Sequence, residues 1–252
     1  GKDLPYTINN TMMRIDLDKP LLKGQKVSFD IKWWYNINDR MKIGGRSGLE
    51  YFEEEDNYLY TIAQFFPRMA VYNDVEGWQN KQFLGGGEFA VPFGDYTVNI
   101  TVPSDHIVGS TGKLQNASSV LTSEQRKRWA DAQKSYETPV MIVTPEEALE
   151  AEKAKSTDKK TWTFKATNVR DFAFASSRKF IWDAMAVDIN GKNIMAVSYY
   201  PKEGNPLWEK YSTRVVAHTI KSYSKYTIDY PYHKAISVHA NRIGMEYPQI
   251  CF

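Results

Sequence analysis

Alternating apolar and polar residues predict that the first 120 residues are mostly short antiparallel β-strands. Residues 11–35 show the alternation twice, with Lys23-Gly24 between the two runs. A period of two is typical of half-buried strands, so this segment is predicted to be a β-hairpin. The apolar positions are Met13, Ile15 and Leu17, and then Val27, Phe29, Ile31 and Trp33. Similar patterns predict further strands over residues 58–63, 88–91, 96–102 and 106–110.

Three segments carry the signals of helix starts. Thr122 and Thr144 are N-cap residues before charged helices that extend to about Ser135 and Ala154. Asn205-Pro206 opens the longest predicted helix, which runs to about Tyr226 because Asn is a favoured cap and Pro suits the first turn. Its apolar residues keep helical spacing. They are Leu207, Tyr211, Val215, His218, Ile220 and Tyr223.

The order of elements changes near residue 178, and this change predicts a domain boundary. Strands over 161–166 and 171–175 continue the β-rich part, whereas strands over 193–198 and 234–240 enclose the long helix. We therefore expect a mainly antiparallel β-sandwich or saddle over residues 1–178 and an α+β part over 179–252. The longest apolar runs are far shorter than the roughly 20 residues of a membrane span, so we expect no transmembrane segment.

Composition and charge narrow the functional classes. The 252 residues include 32 Lys and Arg against 30 Asp and Glu, a net charge of +2, which argues against nucleic acid as a partner. Hydrophobic residues make up 42%, as in folded proteins with large cores. Cys251 is the single cysteine, which excludes an internal disulfide. Few thiols suit a bacterial periplasmic or secreted protein, which we favour, and also a cytoplasmic one.

Common catalytic motifs are missing from the sequence. Its four histidines form no H-E-x-x-H spacing, so no helix places two imidazoles together for zinc. The glycine run 85–87 lacks the Lys-Ser/Thr that follows in a phosphate-binding loop. The acidic run 53–56 lies between two predicted strands and is interpreted as a solvated hairpin tip rather than a metal site.

The last segment carries the most specific signal. Gly-Met-Glu-Tyr-Pro at 244–248 resembles the G-x-M-E-N exopeptidase motif of the alanyl-aminopeptidase-type zinc metallopeptidases, the gluzincins, with Tyr-Pro replacing the terminal Asn. Other segments resemble successive landmarks of that family, namely Phe66-Pro67-Arg68, Gly94-Asp95-Tyr96, 108–112, 169–175 and Tyr230-Pro231-Tyr232. The resemblance implies most of an N-terminal β domain, truncated at its start, followed by the opening of a thermolysin-like catalytic domain.

The resemblance also implies roles for four residues. Glu246 would bind the free α-amino group of a peptide substrate, Gly244 and Met245 would pair with the peptide main chain, and Gln64 would help to bind the amine. A carboxylate forms a charge-assisted hydrogen bond with an N-terminal ammonium, which supports the first role. The family's zinc helix follows this motif, whereas this chain ends six residues after Glu246. We therefore expect zinc in the full-length parent, and neither zinc binding nor cleavage by this chain alone.

An alternative interpretation is a non-catalytic β-rich module that binds peptide or glycan, or a pseudopeptidase. The adjacent Trp33 and Trp34, together with Trp78, are candidate stacking platforms for such a ligand. The sequence starts like the middle of a strand-rich domain and ends abruptly on the apolar residues 250–252, so we also expect a fragment of a longer protein.

Overall fold

The structure is a computed structural model that describes residues 3–86 and 90–252. Half of the strand predicted over 88–91, residues 88 and 89, lies outside the described residues. The chain divides into two compact units, the first made of Gly1–Asn36 and Phe66–Pro92 and the second of Ile37–Phe65 and Phe93–Phe252. The boundary predicted near residue 178 falls inside the second unit and stays a prediction.

Strands and helices are numbered in chain order. The strands are β1 (Tyr6–Asn9), β2 (Met12–Ile15), β3 (Gly48–Phe52), β4 (Asn57–Ile62), β5 (Tyr72–Asn73), β6 (Gly77–Trp78), β7 (Gly94–Pro103), β8 (Ile107–Ser110), β9 (Lys113–Leu114), β10 (Val140–Val143), β11 (Lys159–Val169), β12 (Phe174–Ser177), β13 (Ile181–Ile189), β14 (Lys192–Tyr200), β15 (Lys234–Val238), β16 (Glu246–Tyr247) and β17 (Ile250–Cys251). The helices are α1 (Arg40–Ile43), α2 (Ala117–Val120), α3 (Ser123–Ala132), α4 (Pro145–Ala154) and α5 (Leu207–Tyr226), with a 3₁₀ turn at Lys202–Gly204.

The first unit contains two small hairpins, β1–β2 and β5–β6. The turn predicted at Lys23-Gly24 is present, because the Gln25 N–H donates to the Leu22 carbonyl over 3.0 Å. The predicted strand over 27–33 is wrong, since no strand is present there and both Trp33 and Trp34 are exposed. Alternation produces a strand only where a neighbouring strand pairs with its backbone and buries one face.

The second unit contains three sheets. One has four strands in the order β3-β4-β12-β8, and one has three in the order β7-β11-β9. The third has six strands in the order β10-β13-β14-β15-β17-β16. Most pairs are antiparallel, as predicted, but β14-β15 and β15-β17 are parallel. The predicted helices at 122–135 and 144–154 are confirmed as α3 and α4, each with a capping box.

The six-stranded sheet carries the main core of the second unit. Its interior strand β13 is buried along nearly its whole length, and α5 packs against one face of the sheet. Met185 and Val187 of β13 join Ala217 and Ile220 of α5 in one apolar cluster. Periodicity did not predict β13, because a strand buried on both faces has a continuous apolar run.

Helix α5 has the predicted bounds but not the apolar face that its residue spacing suggested. Thr213, Ala217 and Ile220 face the core, so Ile220 is the one buried residue among the apolar positions named from the sequence. The others, including Leu207 and Tyr223, are at least partly exposed, at 64% and 69% for these two. The residues that face the sheet are small or β-branched, and they allow the helix to pack closely on it. None of the described helices has the length and apolar character needed to cross a bilayer.

A buried lysine fixes the acidic hairpin tip between β3 and β4. The Lys179 ammonium is fully buried and lies 2.9 Å from Glu203, 3.3 Å from Glu152 and 3.3 Å from Glu55. A hydrogen bond from Lys202 and the nearby Lys179 charge together hold the pKa of Glu55 below its usual range. The hairpin tip is confirmed, and Glu53 and Glu54 are solvated, but Glu55 belongs to this ion network.

A buried carboxylate lies between α5 and the six-stranded sheet. Asp183 of β13 is 2% exposed and accepts hydrogen bonds from the Tyr200 hydroxyl, over 2.6 Å, and from the Thr213 hydroxyl. Burial raises the pKa of Asp183 to about 6, against the lowering effect of these two donors. The folded state therefore favours the protonated acid.

Replacing Asp183 with Asn should remove a pH-dependent component of stability. Because the folded pKa is above the ordinary 3.8, this component is fully present below pH 4 and is lost as the pH rises through 6. The unfolding free energy of wild type should fall relative to that of Asp183→Asn by up to about 3 kcal/mol as the pH rises from 4 to 8. Urea unfolding of both proteins at several pH values across this range measures the difference in unfolding free energy. The exposed Asp131→Asn is the control, and parallel pH curves for wild type and Asp183→Asn would contradict the prediction.

Candidate functional site

The segment with the exopeptidase-like motif lies at an edge of the six-stranded sheet. Strand β17 pairs in parallel with β15, and β16 pairs antiparallel with β17, Glu246 opposite Cys251. Strand β16 is therefore the outermost strand of this sheet among the described residues. An edge strand presents unpaired N–H and C=O groups, to which an extended peptide can add.

A two-residue turn joins β16 to β17 and ties them to the four-stranded sheet. Pro248 and Gln249 form this turn, and Gln249 has a φ of 69°. The Pro248 carbonyl accepts from the Thr111 hydroxyl over 2.8 Å. The Gln249 side-chain oxygen accepts from the Gly112 N–H over 2.8 Å, and its carbonyl accepts from the Ile236 N–H over 2.9 Å. One turn thus bonds to both sheets.

Gly112 has to be glycine for this contact to form. Its φ is +85°, and a Cβ atom there would lie 2.7 Å from the Lys165 carbonyl oxygen. A side chain would push the Gly112 N–H away from Gln249. The close approach therefore depends on the absence of a side chain.

A buried ion pair holds the start of the segment. Asp39 caps α1 by accepting from the N–H groups of Met41 and Lys42, over 3.1 and 3.2 Å, and this cap orients Arg40. The Arg40 guanidinium is 2.5 Å from the Glu50 carboxylate and also donates to the Asn241 carbonyl. The same Glu50 oxygen accepts from the Asn241 N–H over 3.0 Å. Both backbone groups of Asn241 are therefore held by the ion pair.

The strand presents the Glu246 carboxylate to solvent. Met245 is 4% exposed and Glu246 is exposed, because successive side chains point to opposite faces. The Met245 N–H and C=O bond with Phe252 over 3.4 and 3.0 Å. In an antiparallel pair the next residue has its backbone groups turned away from the partner strand. The N–H and C=O of Glu246, and by the same alternation those of Gly244, therefore point to the free edge.

Gln64 lies at the same end of the four-stranded sheet as the Pro248-Gln249 turn. It follows β4 by two residues, is exposed and has a φ of 52°. The last residue of β4, Ile62, pairs with Phe174, which pairs in turn with Ser110, the residue before Thr111. Among the described residues no hydrogen bond joins Gln64 to Glu246. Its predicted role as a second amine contact stays a prediction.

The charges around the edge strand are few. Burial lowers the pKa of Arg40, an effect opposed by the Glu50 and Asp39 carboxylates, and the guanidinium stays charged. Enclosure of its thiol raises the pKa of Cys251, and the neighbouring Glu246 carboxylate adds to this rise. The thiol is therefore neutral at pH 7, and the Glu246 carboxylate is the charge that this strand offers to a ligand.

The described residues do not fit a catalytic zinc ion. Within 3–86 and 90–252, no group of three or more His, Cys, Asp and Glu side chains is arranged to hold a metal. The His106 ring bonds the Ser176 hydroxyl over 2.9 Å, and the His239 ring packs against Trp208 at 4.9 Å. A catalytic zinc needs three protein ligands with an open position.

Sequence reasoning missed most of the residues that support this strand. Arg40 and Glu50 lie about 200 residues before Asn241, and no local pattern connects them. Thr111 and Gly112 were part of a family-like landmark, but their contact with the motif was not predicted. The signal that would have revealed this support is the burial of Arg40, and composition does not show which arginine is buried.

Comparisons with known proteins identify the fold. No protein-family model matches the sequence, and no curated protein matches it. Among solved structures, a two-domain M1 zinc metallopeptidase bound to L-tryptophan matches with a TM-score of 0.53 and 12% identity, over 100% of this chain and 48% of that one. An M1 zinc metallopeptidase from Deinococcus radiodurans bound to the substrate Tyr-Ser-Ala matches with a TM-score of 0.53, 11% identity and the same coverage.

A third structure, the two-domain M1 zinc metallopeptidase bound to L-arginine, matches with a TM-score of 0.51 and 13% identity, over 100% of this chain and 48% of that one. The chain thus spans about half the length of the solved proteins that it matches. These matches show that its sheet-rich fold is similar to that of M1 zinc metallopeptidases.

Replacing Thr111 with Val should loosen the edge strand. Valine keeps the shape but removes the hydroxyl that donates to Pro248 and accepts from the Ala173 N–H. Leaving these partners unsatisfied should lower the unfolding free energy by about 1–3 kcal/mol. Hydrogen exchange should also be faster at the Ile236 amide. The exposed Thr101→Val is the control, and equal exchange in both variants would contradict the prediction.

Replacing Arg40 with Met should lower the stability more than Thr111→Val does. It leaves the Glu50 carboxylate buried without its cation, which should lower the unfolding free energy by about 3–5 kcal/mol. Arg242→Met removes an exposed guanidinium next to Asn241, outside the ion pair, and should change stability by less than about 0.5 kcal/mol. Denaturant unfolding measures the stability of both variants. Similar unfolding midpoints would argue against a stabilising role of the Arg40–Glu50 ion pair.

Proposed function

We propose that this chain is part of a zinc-dependent aminopeptidase and supplies the segment that binds the N-terminal amine of a peptide. It comprises, in this proposal, most of the N-terminal β domain and the opening of the thermolysin-like catalytic domain. The observation that carries the proposal is the exposed Glu246 carboxylate on a free edge strand anchored at both ends. The fold shared with M1 zinc metallopeptidases supports it.

The edge strand suits a peptide that enters by strand addition. The outward N–H and C=O groups of Gly244 and Glu246 pair with the peptide main chain, while the Glu246 carboxylate bonds the terminal ammonium. Met245 was expected to pair with the peptide main chain, but its N–H and C=O bond with Phe252 and its side chain is buried, so in this proposal it holds the strand in place instead. Because the carboxylate is fixed relative to the edge, it selects peptides by their free N-terminus.

Zinc belongs to the full-length parent in this proposal. When bound there, zinc would supply a Lewis acid and an activated water for peptide hydrolysis. The residues described here bind and orient the amine end of the substrate. They hold no ligand set for the metal.

Peptide binding to the chain tests the proposal directly. We expect Tyr-Ser-Ala to perturb the amide NMR signals of Gly244 and Glu246, and its N-acetylated form to bind about tenfold more weakly, since acetylation removes the ammonium. Glu246→Gln should abolish this difference. Glu54→Gln, at the solvated hairpin tip, should leave it unchanged.

Two results would refute the proposal. The first is equal binding of the free and acetylated peptides, and the second is an unchanged preference in Glu246→Gln. Stoichiometric zinc with aminopeptidase turnover in the purified 252-residue chain would refute the assignment of the metal site to the rest of the parent.

Exposed aromatic residues in the first unit favour a second candidate, a non-catalytic module that binds peptide or glycan. Trp34 is 85% exposed, and Trp78 packs edge-on against Tyr72 at 5.3 Å. A groove of about 410 Å³ is lined by Trp78, Glu76, Gln79 and Lys81. Glycan-array binding that is lost in Trp78→Ala and kept in Glu246→Gln would support this candidate over the peptidase.

A further inference from the structure

The outer face of α5 carries a row of large apolar side chains. Leu207, Tyr211, Val215 and Tyr226 lie within about 100° of one another around the helix axis, opposite the residues that pack on the six-stranded sheet. Their exposed fractions run from 48% at Tyr211 to 77% at Tyr226. The row is about 28 Å long at 1.5 Å per residue. Exposed apolar rows of this extent mark interaction surfaces.

A second row, of basic residues, runs beside the first. Lys210, Arg214, Lys221 and Lys225 lie within about 60° around the axis. Glu209 is the single acidic residue of α5, and it accepts a hydrogen bond from Asn205. No carboxylate of the described residues forms an ion pair with any of these four cations. The helix therefore presents a net positive edge next to an apolar one.

The side chains of the two rows are of the kinds found at membrane interfaces. Lys210 and Lys225 lie 5.1 Å above the rings of Tyr211 and Tyr226. Tyrosine places an apolar ring below a polar hydroxyl, and lysine places an apolar stem below an ammonium. Both side chains are thus suited to the boundary between lipid headgroups and acyl chains.

We propose that α5 docks on an anionic phospholipid bilayer. The helix lies in the interface plane with its apolar row towards the acyl chains and its basic row at the depth of the phosphate groups. The charge of the basic row calls for an anionic partner. An acidic polypeptide is less suited, because it would have to supply a groove for a convex helix and bury the phenol hydroxyls. The chain would then work at a membrane surface without spanning it.

Vesicle co-sedimentation of the whole chain tests this proposal. We expect binding to vesicles of phosphatidylcholine and phosphatidylglycerol at about seven to three, and at least about tenfold weaker binding to phosphatidylcholine alone. Binding should also fall in about 0.5 M NaCl, which screens the charges. Lys221→Glu with Lys225→Glu should weaken binding by about tenfold or more. Tyr211→Ser with Tyr226→Ser should weaken it without changing its salt dependence.

Matched variants distinguish an effect of the α5 surface from an effect of the net charge of the protein. Lys127→Glu with Lys134→Glu makes the same charge change at exposed positions elsewhere and should leave binding nearly unchanged. Circular dichroism checks that all variants are folded. The proposal is overturned if the anionic vesicles do not bind, if both lysine pairs have equal effects, or if soluble polyglutamate binds α5 as tightly as the vesicles do.

Discussion

The turn at Pro248-Gln249 is the contact on which the candidate site depends. Its backbone and side-chain oxygens accept hydrogen bonds from Thr111 and Gly112, beyond the four-stranded sheet, and from Ile236 in the six-stranded sheet. A turn bonded to two sheets cannot shift without breaking bonds to both. The position of β16, and hence of Glu246, is therefore set by the packing of the second unit rather than by the short strand itself.

Rigid support at both ends matters for the proposed chemistry. A two-residue strand has too few hydrogen bonds to hold a carboxylate in place, whereas the buried Arg40–Glu50 pair and the Thr111 hydroxyl fix the segment before a ligand arrives. The outer face of α5 is different, because the side chains of its apolar and basic rows are exposed; within these rows Arg214 donates to the Glu137 carbonyl over 3.0 Å. Helix α5 thus supports the sheet with its inner side and leaves its outer side as a surface for a partner.

Sequence patterns predicted the elements with strong local signals. The capped helices α3 and α4, the bounds of α5 and the strands β4, β7 and β8 agree with the structure to within a few residues. The patterns did not find β13, whose apolar run has no period, and they gave a strand over 27–33, where the structure has none. The apolar spacing along α5 indicated a core face, whereas Thr213 and Ala217 form it. Local spacing records amphipathicity but not which side faces the sheet.

For the site, the sequence alone determined the identity of the motif at 244–248 and the position of its carboxylate in the chain. Tertiary structure decided that β16 is an edge strand, that Glu246 faces solvent while Met245 is buried, and that Arg40, Glu50 and Thr111 hold the segment. The reason is physical. Motifs and capping signals depend on neighbours in sequence, whereas the contacts that hold this edge strand join distant residues, Arg40 to Asn241 across 201 positions and Thr111 to Pro248 across 137.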